Sequence, residues 1–212
     1  MSLTQFPPLA GEYVVDPKRS GLSFVTLQGF GTEIRGRFDE IRGRALVHPS
    51  RPSSSWVELD IEANSLTTGD PQRDLGLRSR DVLDVAAHPV ISYRSVSFSM
   101  LLGSRFEVVG SLTIRRATRL LPLAVEYAGV TRDHAGGLEL HASAEISRRA
   151  WRLCCSRRPR AEDVAFGDRV SIQVDVTFIR LASGGSWADS ALPRVPRLSP
   201  ADPRQFGSVC GT

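Results

Sequence analysis

Four stretches of this chain place an apolar residue at every second position, the pattern of a β-strand with one dry and one wet face. Val57, Leu59, Ile61 and Ala63 alternate with Trp56, Glu58, Asp60 and Glu62, and Phe106, Val108, Gly110, Leu112 and Ile114 alternate with Glu107, Val109, Ser111 and Thr113. Leu138, Leu140, Ala142, Ala144 and Ile146 alternate with Glu139, His141, Ser143 and Glu145, and Val170, Ile172, Val174, Val176 and Phe178 with Ser171, Gln173, Asp175 and Thr177. Gly11 to Val15, Gly21 to Leu27, Gly36 to Val47, Val90 to Phe98 and Leu121 to Tyr127 fit strands more weakly. Turn formers separate these segments: Asp16-Pro17, His48-Pro49 with Pro52 and its serines, Leu102-Gly103-Ser104, and Asp133-His134-Ala135-Gly136-Gly137. About eight to ten closely spaced strands predict an all-β fold, either a sandwich or a closed antiparallel barrel. Alternation alone does not choose between them.

One interval breaks the alternation. Pro71 suits the first turn of a helix and Asp70 its N-cap, so a short helical insert is expected near residues 71 to 85. Leu75, Leu77 and Leu83 are expected to pack it onto the sheet, while Gly76 weakens it. From Ser183 onward Gly184-Gly185-Ser186 leads into Pro193, Pro196, Pro200 and Pro203 with no apolar period. Residues 183 to 212 therefore read as a flexible Pro/Gly/Ser-rich C-terminal tail, behind a barrel domain over residues 8 to 182.

Chemistry is sparse. The net charge is +4 and Lys18 is the only lysine, so the basic character is nearly all arginine, and it reads better as codon bias than as a nucleic-acid surface. Cys154, Cys155 and Cys210 are odd in number and lack Cys-x-x-Cys spacing, and His48, His88, His134 and His141 are scattered. Neither a disulfide framework nor a metal site is expected. Asp81 and Asp84 fit caps on a solvated face, Gly167-Asp168 lacks phosphate-loop spacing, and no nucleophile elbow occurs. The expectation is a protein that is not an enzyme and needs no cofactor. Residues 1 to 10 carry no basic and apolar leader and no apolar run nears the roughly 20 residues that span a bilayer, so a cytoplasmic location is expected.

The order and spacing of several short motifs carry a resemblance. Tyr13-Val14-Val15-Asp16-Pro17 with Ser20 and Phe24, then Arg35-Gly36-Arg37-Phe38, then Glu62 to Gly69, open the series. Arg73-Asp74, Leu77-Arg78-Ser79, Asp81 and Asp84 follow, then Pro89, Ile91, Tyr93 and Ser95. Gly110, Leu112-Thr113-Ile114, Thr118-Arg119, and Ile146 with Arg148 and Trp151 complete it. Over residues 11 to 180 the chain resembles the YceI-like family, although Arg19 and Gly76 stand where that family commonly has histidines, and Arg152 where a glycine often follows the aromatic residue.

The resemblance implies a single elongated, lipocalin-like antiparallel β-barrel that binds a long amphiphile without covalent chemistry. An isoprenoid quinone or a polyprenyl phosphate, held for storage, transport or protection, is the implied ligand. Inward residues are then expected to hold the tail: Phe24, Phe38, Leu59, Ile61, Tyr93, Leu112, Val125, Leu140, Ala142, Val174 and Val176. Small inward residues, Ala63, Gly110, Ala142 and Ala144, are expected to leave room for it. Arg73 reads either as a contact to a phosphate or quinone head group or as half of an ion pair with Asp74 that pins the insert. The arginines between Arg148 and Arg160 read as a solvated loop or as a transient contact with a membrane surface, and a homodimer is compatible with this reading. The competing reading is a ligand-free interaction or stress protein acting through that Arg-rich loop.

Overall fold

In a computed structural model, which describes residues 10–28, 31–48, 54–131, 137–153 and 166–181, the described residues form eleven strand segments, one α-helix and a 3-10 turn at Ala63–Ser65. The expected tail with Trp187 and Phe206, the loop residues Asp133 to Gly136, Cys154, Cys155, Cys210 and the arginines from Arg157 to Arg160 lie outside the described residues. The strands are β1 Gly11–Val15, β2 Gly21–Gln28, β3 Thr32–Phe38, β4 Ile41–Val47, β5 Trp56–Glu62, β6 Leu66–Thr67, β7 Val90–Met100, β8 Arg105–Ile114, β9 Ala117–Val130, β10 Leu138–Ser147 and β11 Phe166–Arg180. The helix α1 is Pro71–Arg78.

Every strand pair is antiparallel, and β1 pairs with both β4 and β11. That last pairing closes the sheet, so the alternation belongs to a barrel and not to a sandwich. Three of its strands are each broken into two segments. β1 and β2 share β11 as a partner, β4 and β3 lie beside them, and β5 and β6 lie beside those in turn. The eleven segments therefore make one eight-stranded up-and-down barrel.

The breaks are bonded as carefully as the strands. Between β1 and β2 the Asp16 carboxylate accepts the Lys18 amide at 3.0 Å. Thr177 of β11 bridges this break: its carbonyl accepts the Asp16 amide at 2.8 Å, its amide donates to Ser20 Oγ at 3.1 Å, and its hydroxyl donates to the Arg19 carbonyl at 3.3 Å. Thr177 is consequently buried on the nominally wet side of its strand. The single strand expected from Gly36 to Val47 is interrupted at Asp39-Glu40, where the Glu40 carbonyl accepts the Glu62 amide at 2.9 Å.

Strand direction gives the barrel two unlike ends. The β2–β3, β8–β9 and β10–β11 connections and the insert after β6 share one end. The β4–β5, β7–β8 and β9–β10 connections share the other, with the start of β1 and the finish of β11. The first end is plugged: Val82, Leu83, Trp151 and Leu153 are all buried there, and the Trp151 indole donates to the Leu112 carbonyl at 3.4 Å.

The insert differs from its expectation in three respects. Asp70 does cap α1, accepting the amides of Gln72 and Arg73 at 3.0 and 3.2 Å. The helix stops at Arg78, however, because Ser79 turns extended and both its amide and hydroxyl return to the Gly76 carbonyl. Turns over the next residues then drop Val82 and Leu83 into the core. Leu75 is 69% exposed and does not pack on the sheet, since Asp74, Leu77 and Arg78 occupy the inward face at helical spacing. Arg73 pairs with the cap residue, at 3.2 Å from Asp70 Oδ2, and not with Asp74.

Asp74 pins the insert instead. Its buried carboxylate accepts the Thr68 amide at 2.8 Å, the Thr68 hydroxyl at 2.6 Å and the Thr67 hydroxyl at 3.1 Å, while the Arg78 guanidinium donates to the Leu66 carbonyl. Burial by itself would raise this carboxyl, but the Thr68 and Thr67 bonds and the Arg78 charge outweigh it and hold it below its ordinary value. Asp74→Ala strands these donors and is expected to cost about 2 kcal/mol, which for a domain of this size lowers Tm by roughly 4–8 °C. A carboxyl held low stabilises the fold above its unfolded-state value and ceases to do so as pH falls through its folded-state value. The Tm gap between wild type and variant, measured by thermal denaturation, should therefore be full at pH 7 and shrink below about pH 4.

Candidate functional site

The unplugged half of the barrel is hollow. Inward residues of β1 (Tyr13), β4 (Ala45, Val47), β5 (Val57, Leu59), β7 (Tyr93, Phe98) and β8 (Phe106, Val108) form one side of a cavity. Residues of β9 (Leu123, Val125, Tyr127), β10 (Leu138, Leu140, Ala142) and β11 (Val174, Val176, Phe178) form the other. It encloses about 450 Å³, within the range of small-molecule sites.

Tyr93 is its floor. The phenol donates to the Val108 carbonyl at 2.8 Å and lies 3.3 Å from the Leu121 carbonyl, so its one polar atom is satisfied inside an apolar core. The ring lies against Gly110, where any Cβ would overlap it. Beneath this floor Ile61, Leu112, Ile114 and Phe38 are buried, and the rings of Phe24 and Phe38 pack at a centroid distance of 5.9 Å.

The wall carries almost no polarity. Its polar side-chain groups are the phenols of Tyr13, Tyr93 and Tyr127, with His48, Ser55, Ser99 and the indole of Trp56 near the strand ends. Burial pushes all three phenols up from their ordinary range, only partly opposed at Tyr13 by the Arg180 charge, so they stay uncharged near neutral pH. Among the described residues no arginine, lysine, aspartate or glutamate lines the cavity. A charge brought inside would lose water and find no partner. Hydrocarbon brought inside would gain about 25 cal/mol for each Å² removed from water. The cavity reaches the surface at Met100, which is 60% exposed and still part of the wall.

Of the residues expected to hold a ligand, Leu59, Tyr93, Val125, Leu140, Ala142, Val174 and Val176 line this cavity. Phe24, Phe38, Ile61 and Leu112 also belong to the packed interior, but toward the plugged end and off the cavity wall. Arg73 is on α1, away from the cavity wall, in its ion pair with Asp70. Of the four small inward residues only Ala142 lines the cavity; the room beside Gly110 is taken by the Tyr93 ring of the neighbouring β7. The expectation had omitted Phe106, Val108, Leu138 and Phe178, although the same alternation marks them as inward. Trp56 was assigned to the wet face and lines the rim as the first residue of β5, with Arg44 stacked 5.4 Å from its ring centroid. His141, expected to point outward, is exposed and pairs with Asp175 at 2.5 Å.

A family model for the YceI-like domain matches residues 13–178. The chain belongs to the YceI-like family. Protein YceI of Salmonella arizonae is 27% identical to this YceI-like chain over 161 residues, covering 74% of it and 83% of the relative. A UPF0312 protein of Vibrio cholerae is 27% identical over 135 residues, covering 62% and 71% respectively. Among solved structures, BcnA of Burkholderia cenocepacia superposes with a TM-score of 0.67 at 18% identity, over 77% of this chain and 98% of that one. A polyisoprenoid binding domain from Saccharophagus degradans superposes with a TM-score of 0.63 at 15% identity, over 80% and 98%. At such identities these two likenesses are likenesses of fold.

The floor can be tested alone. Gly110→Ala forces the Tyr93 ring off its site and is expected to destabilise the barrel by about 1–3 kcal/mol. Chemical denaturation would read this as a lower midpoint at unchanged slope.

Proposed function

We propose that this YceI-like protein binds the apolar tail of a long isoprenoid amphiphile without covalent chemistry, for storage, transport or protection, and acts as a binding protein rather than an enzyme. The observation that carries this reading is the predominantly apolar wall around about 450 Å³. The family supports it, as does the likeness in fold to a domain described as polyisoprenoid binding.

The ligand enters tail first. The Tyr93 floor offers it no free polar group, since that hydroxyl is already bonded. The part of the ligand that passes the mouth meets His48, Ser55, Ser99 and Tyr127. A cavity of this volume takes a drug-sized segment, so a long polyprenyl chain extends past the mouth.

Extraction of the natively produced protein with organic solvent, followed by mass analysis, is expected to release an isoprenoid lipid. Recovery of no lipid would remove the proposal. Ala142→Trp fills the cavity from β10 and should weaken binding of an isoprenoid quinone by about tenfold or more, through lost contact area. Its Tm in the ligand-free state should stay close to that of wild type.

A further inference from the structure

We infer that the β7–β8 turn is a docking element for a lipid bilayer and delivers the cavity mouth to the surface from which the ligand is drawn. The inference rests on the reading of the cavity as a lipid site, and its test below separates the two.

Three consecutive apolar side chains stand exposed at this turn: Met100 at 60%, Leu101 at 55% and Leu102 at 89%. A hairpin tip is ordinarily polar, and a run of bare apolar residues weakens solubility unless something uses it. The other strongly exposed large apolar residues in the barrel, such as Leu27, Leu75 and Leu120, stand singly, which is ordinary for a protein surface. The tip is also held out. Gly103 takes the left-handed conformation at φ 68°, the Leu101 amide donates to the Arg105 carbonyl at 3.0 Å, and the Tyr127 amide donates to the Ser104 carbonyl at 2.9 Å. The leucines therefore stay outside the core.

Position assigns the occupant. Met100 belongs both to the exposed tip and to the cavity wall, and Phe98 and Phe106 continue the apolar path inward. A ligand of the proposed class resides in membranes and hardly dissolves in water, so its entry route must open against a bilayer. A second copy of the chain seated on the same leucines would cover the mouth. The tip residues Met100 to Ser104 carry no charge, and the adjoining Arg105 is paired with Glu126 at 3.5 Å. The attraction is accordingly apolar and directed at the acyl boundary, not at anionic head groups. Attachment through a few leucine-sized groups is weak and reversible, which suits pick-up and release.

The test uses the full chain and flotation with vesicles of phosphatidylcholine alone, or with phosphatidylglycerol added. Leu101→Ser/Leu102→Ser is compared with Leu75→Ser, which removes an equally bare leucine from α1. Wild type and Leu75→Ser should float with both vesicle types at low and moderate salt. The double variant should bind about tenfold less, through the apolar area removed, and should take up a long-chain prenylquinone from vesicles more slowly in the same proportion. Its affinity for a short-chain, water-soluble quinone should equal that of wild type. Loss of that last binding in the wild type itself would overturn the cavity reading and leave the flotation result standing. Flotation of the double variant like wild type would overturn the docking inference. So would flotation that needs phosphatidylglycerol and vanishes with salt, or a dimer that disappears in the double variant without any flotation by wild type.

Discussion

Closure of the sheet is the constraint on which the rest depends. β1 meets β11 through only three residue pairs, Tyr13 with Arg180, Val14 with Ile179 and Val15 with Phe178. Without them the sheet would present two open edges, and its apolar face would need a second layer to cover it. With them the apolar face becomes an interior. The short pairing is reinforced by Thr177, which bonds both sides of the break between β1 and β2 at the point where β11 passes from one partner to the other. A buried threonine on the wet side of a strand is thus part of what makes an inside at all.

A barrel of eight strands is just wide enough to be filled by side chains or to hold one slim ligand. This one does each in a different half. At the plugged end Trp151, Val82 and Leu83 close the lumen, and Phe24 and Phe38 fill it. At the other end the described wall residues surround a cavity above Tyr93. The division has an energetic logic. Packed aromatic and aliphatic side chains at one end supply the burial that stabilises the fold, which leaves the other end free to forgo some. Tyr93 sits at the boundary, satisfied by the Val108 carbonyl and seated against the missing side chain of Gly110.

The legible part was the inside and the outside of each strand. Val108, Gly110, Leu112 and Ile114 point inward as their spacing demands, and Val174 and Val176 do the same. Capping of α1 by Asp70 was equally plain, because the donors it satisfies are its immediate neighbours. What alternation could not report is depth along the axis. Leu59 and Ile61 are identical in pattern, yet only the first reaches the cavity. The pairing of Arg73 follows from helix geometry: Asp70, three residues back, is its neighbour on the helix surface, whereas the adjacent Asp74 faces Thr67 and Thr68.

The chain by itself determined an all-β domain with inward and outward strand faces and one capped helical insert, because period and local capping are properties of neighbours in sequence. The order of its motifs carried the resemblance to its family, and closure into a barrel rests on the β1–β11 pairing. The tertiary structure alone decided which half of that interior is empty, which residues form the floor and the rim, and that three bare apolar residues adjoin the opening. Those are facts about how side chains of different strands pack together, which the period of any one strand does not report. A glycine leaves a gap only if no large side chain from a neighbouring strand covers it, as the Tyr93 ring of β7 covers Gly110 of β8.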